Sequence, residues 1–356
     1  MSFKIKMKAL ELVVNLFRQR VRVSPDKINF SQVKTVVVLN NKRLGDFLFC
    51  TPAIKALKDA NPQVRVIAVT SHSNKNLIMD CPYIDEVRYM GESMKEAIEI
   101  GKELRKEKPE LGIIFHSKCP YDIVAMTLSG VSCLMKHYFG NERKVLIKAC
   151  DAAVMGGVYP PVQNDLSLVK ILGINTEGKK MFYPSDVGDK TNTSMSVGIQ
   201  LGASASDRYF PAHLAAQVVE DISNHFPQCV FHLIGSENEI GLSNDFYDVL
   251  KPELAGRVVC HIGKTTLHEL AILINNFTVL ITPDTGCLHI ATALQTKTVS
   301  LFTEKQQKAS TPQQDTELHQ VLYASDFVLE RNANNISKLT PIPTSEIVAA
   351  TIRALN

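Results

Sequence analysis

From residue 34 onward, short β-branched apolar runs alternate with stretches of helical periodicity. KTVVVLN at 34–40 reads as a buried strand and 47–60 as a helix; VRVIAVT at 64–70 and LGIIFH at 111–116 are further strands, with a Lys/Glu-rich helix at 94–107 between them. This is the βαβ rhythm of a parallel sheet with helices on both faces. Residues 158–195 interrupt it with Tyr159-Pro160-Pro161, one short helix and a Gly/Ser/Asp/Thr-rich run. A second series then begins with SVGIQLG at 196–202 and continues through CVFHLIG at 229–235, RVVCHIG at 257–263 and FTVLITPD at 277–284. The pattern predicts an α/β protein of two Rossmann-like domains, residues 34–187 and 188–356, whose parallel sheets face a central cleft.

Residues 1–33 form a separate, basic, amphipathic extension in this reading. Over 3–23, at about 100° per residue, Lys4, Lys8, Glu11, Asn15, Arg18 and Arg22 share one wedge. Phe3, Met7, Leu10, Val14, Phe17 and Val21 lie to one side of it, and Leu12 and Leu16 on the other. The segment holds seven cations (Lys4, Lys6, Lys8, Arg18, Arg20, Arg22, Lys27) against Glu11 and Asp26, while the whole chain of 356 residues carries only +3. Two accounts stand: residues 1–23 contact an anionic membrane surface, or the helix docks on its own domain.

The rest of the composition narrows the class. With 45% hydrophobic and 21% charged residues, the chain is of ordinary globular type, and the near-neutral balance gives no reason to expect nucleic acid. No run approaches the length of a membrane-spanning helix, and the N-terminus lacks the order of a secretory signal, so a cytoplasmic protein is expected. The eight cysteines are never closer than 14 residues and sit mostly in apolar runs, the usage of reduced buried thiols. No GxGxxG is present, Gly263-Lys264-Thr265 lacks the upstream glycine of a phosphate loop, and there is no Asp-x-Asp pair. Neither a metal nor another cofactor is expected.

Ligands of open parallel sheets bind outside the carboxyl ends of the strands, so the loops after strands carry the candidate chemistry. Asn41-Lys42-Arg43-Leu44-Gly45-Asp46 places a carboxylate, Asp46, at a helix start, where it is either a helix stabiliser or a reactive group. Thr282-Pro283-Asp284-Thr285-Gly286-Cys287-Leu288-His289 joins an apolar strand to a helix whose N-terminus suits an anion such as phosphate, with the Thr285 hydroxyl and His289 as further donors. Gly202-Ala203-Ser204 and the following Arg208 make a small-residue loop ending in a cation that can pair with phosphate. A carboxylate in Gly235-Ser236-Glu237-Asn238-Glu239 can take two ribose hydroxyls, although a surface Glu is the simpler reading.

Together these loops resemble glycosyltransferase family 9, the bacterial lipopolysaccharide heptosyltransferases, over roughly residues 34–310. The resemblance rests on Asp284-Thr285-Gly286-x-x-His289 with Ala291, Ala293 and TVSLF after it, on Leu44-Gly45-Asp46 with Thr51-Pro52, and on Gly202-Ala203-Ser204 with Arg208-Tyr209-Phe210-Pro211. It implies a GT-B fold with the acceptor on the N-terminal domain and the nucleotide-sugar donor on the C-terminal one. Asp46 would be the general base, and Asp284, Thr285, Gly286 and His289 would hold the donor diphosphate. Glu239 would take the ribose, Thr265 would lie near the adenine, and Gly202 and Ser204 would belong to the nucleotide pocket, with Arg208 facing the leaving phosphate. The sequence departs from the family at Arg208, where lysine is usual, and at Glu304–Lys308, which replaces a Gly-Pro-Thr-like turn.

The implied activity is inverting, metal-independent transfer of a heptose from ADP-heptose to the lipopolysaccharide inner core. The partners would be that nucleotide sugar, a lipid-linked oligosaccharide acceptor and, through residues 1–23, the inner face of the inner membrane. Alternatives are a family member with another donor or acceptor, a catalytically silent GT-B binding protein, and a sugar-nucleotide epimerase of the same fold.

Overall fold

The computed structural model describes residues 3–18, 22–78, 80–140, 142–191, 194–305, 310–327 and 337–356. The chain divides into two units, Met1–Ser185 and Asp186–Asn356.

The first unit is built on β1 (Thr35–Asn40), β2 (Arg65–Thr70), β3 (Glu86–Tyr89), β4 (Leu111–His116), β5 (Cys133–Tyr138) and β6 (Ala152–Met155). Its helices are α1 (Phe3–Arg18), α2 (Leu44–Ala60), α3 (Lys75–Ile78), α4 (Met94–Lys106), α5 (Tyr121–Ser129), α6 (Lys144–Ile147) and α7 (Pro161–Lys170). The strands pair in parallel in the order β3-β2-β1-β4-β5-β6. Every residue of β1 is buried, which is why it reads as a continuous apolar run: helices cover both faces of a parallel sheet.

The second unit repeats the plan with β7 (Ser196–Gln200), β8 (Val230–Ile234), β9 (Val258–Cys260), β10 (Val279–Pro283), β11 (Lys297–Phe302) and β12 (His319–Tyr323). Its helices are α8 (Ala212–His225), α9 (Ile240–Val249), α10 (Leu267–Asn276), α11 (Gly286–Ala293) and α12 (Thr344–Leu355). The parallel order is β12-β11-β10-β7-β8-β9. The core is gathered from alternate strand positions, among them Val197, Ile199, Phe231, Leu233 and Ile281, against Ala215 and Val219 of α8 and Ile347 of α12. Both sheets are therefore the α/β architecture the periodicity predicts. In each, strand order reverses beside the first strand, between β1 and β4 and between β7 and β10. Those two crevices are where open α/β sheets bind ligands.

Helix α1 is part of the first unit's core. Leu10 and Val14 are 6% and 1% exposed and pack with Val131, Leu146 and Ala149. Arg18, expected on a basic edge, is instead buried at 5% exposure. Its guanidinium donates to the carbonyls of Ala149 (2.8 Å) and Val131 (2.6 Å) and pairs with the buried Asp151. Arg22 pairs with the same carboxylate at 2.7 Å, and Arg143 reaches Glu11 at 2.8 Å. Of the seven cations, Arg18 is thus spent inside the protein, while Arg22 reaches Asp151 from an exposed position. Leu12, Leu16 and Phe17 remain exposed. Arg20 and Val21, and the side chains of Phe3, Lys4, Lys6 and Met7, lie outside the described residues. No helix among the described residues is long and apolar enough to cross a membrane.

Candidate functional site

In the first unit the chemistry gathers at the β1/β4 crevice. Asp46 stands in the first turn of α2, directly after β1. Asn40, the last residue of β1, donates from Nδ2 to the Asp46 carbonyl at 2.7 Å and so ties the start of α2 to the strand end. The Asp46 carboxylate is half-buried, and its Oδ1 lies 3.1 Å from Nδ1 of His116, the last residue of β4. Sequence reasoning missed His116, because its pairing spans 70 positions and nothing local announces it. Behind Asp46, Asp165 of α7 is 6% exposed. Burial raises its pKa well above the usual carboxylate range, and the negative charge of Asp46 adds to the effect.

In the second unit three features meet at the β7/β10 crevice. The first is the start of α11. Thr285 is its N-cap but gives no side-chain hydrogen bond to the helix. Its hydroxyl donates instead to Oε1 of Gln200 at 2.6 Å, and Thr282 donates to the same oxygen at 2.8 Å. The hydroxyl expected to serve a ligand is therefore engaged by Gln200, another residue the sequence did not single out. The backbone N–H groups of the first turn, beginning at Gly286, keep their dipole and lack a side-chain cap, the usual setting for an anion. His289, one turn on, is buried within the helix.

The second feature is Arg208, whose guanidinium reaches Ser204 and lies 3.8 Å from Asp284. Burial raises the Asp284 pKa, and Arg208 opposes that shift. Asp284, expected among the phosphate-holding residues, stands beside the Arg208 cation, directly before the start of α11.

The third feature is Glu239. Ser236 donates to its Oε1 at 3.0 Å, but Oε2 is buried and has no hydrogen-bond partner among the described residues. A Cβ on Gly202 or on Gly235 would run into this carboxylate, so both glycines are needed to admit it at the ends of β7 and β8. A buried acceptor without a donor is costly unless a ligand supplies one. Glu239 also contributes, after burial, to lifting the neighbouring Cys287 thiol to about 12, which places it against the first turn of α11. Thr265 is half-buried in the turn before α10, whose start is closed by the Thr266–Glu269 capping box. Gln306–Lys308 of the divergent turn lie outside the described residues, while Lys305 pairs with Asp326 at 2.6 Å.

The two parallel sheets share the GT-B fold of known glycosyltransferases. Residues 179–327 match the model of glycosyltransferase family 9 (heptosyltransferase). Lipooligosaccharide heptosyltransferase 2 of Campylobacter jejuni is 26% identical over 267 residues, 73% of this chain and 78% of that protein. The family 9 glycosyl transferase of Veillonella parvula superposes with a TM-score of 0.78 at 15% identity, covering 92% of this chain and 98% of that one. The ADP-heptose lps heptosyltransferase II of E. coli gives 0.72 at 17% identity, over 90% and 98% of the two chains. Residues 179–327 thus match the family 9 glycosyltransferase model, and the chain is similar to heptosyltransferases in sequence and in fold.

Proposed function

We propose that this protein transfers a heptose from ADP-heptose to the inner core of lipopolysaccharide, with inversion and without a metal. The observation that carries the donor half is the unpartnered Glu239 Oε2 beside the uncapped end of α11 and Arg208. A carboxylate with one oxygen still open suits the hydroxyls of a ribose. A helix N-terminus with a guanidinium suits the diphosphate attached to it. In this reading Gly202 and Ser204 shape the same pocket, Thr285 and His289 set the first turn of α11, and Thr265 lies toward the base. The names of the related enzymes, a lipooligosaccharide heptosyltransferase and an ADP-heptose heptosyltransferase, support heptose and adenine over other choices.

The acceptor half belongs to Asp46. The acceptor hydroxyl oxygen forms a bond to C1 of the sugar as the bond from C1 to the diphosphate oxygen breaks. Asp46 takes the hydroxyl proton, and ADP leaves with the bonding electron pair. Negative charge grows on the departing phosphate, and the α11 dipole and Arg208 answer it in place of a metal ion. Calorimetric titration in EDTA tests the donor half: ADP binds and UDP binds more weakly. A strict need for magnesium, or a preference for UDP, contradicts it.

Contact with an anionic membrane surface, where a lipid-linked acceptor resides, is part of the same proposal. Leu12, Leu16 and Phe17 stay exposed on α1 while Leu10 and Val14 hold the helix to its domain. Apolar side chains presented from a docked helix can enter the headgroup region without the helix leaving the protein. Replacing Leu12 and Leu16 by Gln should abolish co-sedimentation with phosphatidylglycerol vesicles at unchanged Tm; undiminished co-sedimentation contradicts the contact.

A further inference from the structure

We propose that His116 is a positioning residue for the transfer step: its Nδ1–H fixes one oxygen of the Asp46 carboxylate so that a lone pair of that group is aimed at the acceptor hydroxyl. The inference rests on the reading of Asp46 as the base and extends it to a residue that has no place in the motifs.

The first support is backbone geometry. β1 and β4 run in register from Val36↔Leu111 to Leu39↔Ile114, but the next pair is Asn40↔His116. One residue, Phe115, is skipped. Because side chains alternate along a strand, this irregularity reverses which face His116 presents at the crevice, and such irregularities commonly re-aim a side chain beside an active site. The turned residue is held at its backbone, where the Asn41 N–H donates to the His116 carbonyl at 3.0 Å.

The second support is what surrounds the ring. Phe139, at the end of β5, lies against the imidazole with centroids 5.1 Å apart, leaving Nδ1 on Asp46 at 3.1 Å. The two side chains are both partly exposed, 38% for His116 and 32% for Asp46, so the pair stands at a mouth and not in the core. The remaining titratable groups are deeper. Asp165 faces Asp46 from α7, and His137 of β5 lies 3.9 Å from Asp165 while its Nε2 meets the Asn164 carbonyl at 2.8 Å. Burial raises the Asp165 pKa and lowers that of His137, disfavouring the charged form of each. A carboxylate held by an imidazole N–H loses its freedom to rotate away.

Steady-state kinetics with ADP-heptose and a heptose-deficient lipooligosaccharide separates this role from a merely structural one. His116→Phe keeps a ring against Phe139 but has no donor; kcat should fall about 10- to 100-fold, as for a displaced reacting group, with ADP affinity and Tm unchanged. His116→Asn carries an amide N–H near the Nδ1 position and should recover most of the lost kcat. In an Asp46→Asn background, His116→Phe should cost nothing further, since it acts through Asp46. Equal losses in His116→Phe and His116→Asn, or none in either, overturn the positioning role. Full activity in Asp46→Asn with loss in His116→Phe overturns the Asp46 reading itself and moves the base to His116.

Discussion

The two units share one strand plan and answer it with opposite chemistry. Each ends its first strand in a carboxamide that clamps a helix start: Asn40 holds α2 through the Asp46 carbonyl, and Gln200 holds α11 through Thr282 and Thr285. In the first unit the clamped helix presents a carboxylate with an imidazole on it. In the second unit the clamped helix starts without a side-chain cap, with a guanidinium nearby, and Glu239 has one buried carboxylate oxygen without a partner among the described residues. In the proposed function one crevice accepts a proton and the other holds an anion bearing hydroxyls. A common scaffold therefore fixes where a ligand binds, and the few side chains at the switch point decide what it is.

The strongest way to break this contrast is at Asp46. Asp46→Asn should lower kcat by at least ~10²-fold while leaving ADP affinity intact, as expected for loss of a positioned proton acceptor. A variant that loses ADP binding instead would mean that the two crevices do not divide the work. In the second unit, Arg208→Ala should weaken ADP binding about tenfold, and Arg208→Lys less, because lysine keeps the charge without the fork. Equal, small effects in calorimetry would leave Arg208 as a solvated loop residue.

Stability sharpens the comparison further. Arg18→Ala leaves Asp151 buried without its main partner and should cost about 3 kcal/mol in a denaturant melt, whereas an α1 that merely rests on the surface would lose almost nothing. Asp165 gives the smallest effect and a sign. Its raised pKa means that the native state holds a proton the unfolded chain releases. Stability is therefore full below the ordinary carboxylate pKa of about 4 and declines as the pH rises toward the raised value. Asp165→Asn should remove that decline and raise Tm at neutral pH by about 2–4 °C; an unchanged pH profile would show that Asp165 is not the buried acid described.

The long buried strands were legible because both faces of a parallel sheet are covered: β1, β2, β4, β7, β8 and β10 all lie within predicted runs. β3, β6 and β12 were not, since EVRY, AAVM and HQVLY are short, mostly only partly buried and without the long β-branched run of the central strands. β5 hides for another reason. Lys136 and His137 are buried within it, made tolerable by Asp122 at 2.6 Å and by the Asn164 carbonyl, and such compensation from distant residues leaves no trace in a local pattern. The candidate loops followed from strand ends, so Asp46, Arg208, Glu239 and the α11 turn could be named from sequence. His116 and Gln200 could not, because one depends on a register irregularity and the other on hydrogen bonds across 82 and 85 positions. The amphipathic N-terminal pattern was real but ambiguous: it cannot tell which apolar edge docks, and burial of Arg18 runs against the hydropathy of the residue.

The central claim, that one unit holds a nucleotide sugar and the other activates an acceptor, is tested most directly by mass spectrometry of the products. The protein is incubated in EDTA with ADP-heptose, with and without a heptose-deficient lipooligosaccharide. The account predicts a single added heptose on the acceptor, stoichiometric ADP, and an intact donor when the acceptor is left out. Free heptose, an isomerised donor, or ADP released without acceptor would contradict it.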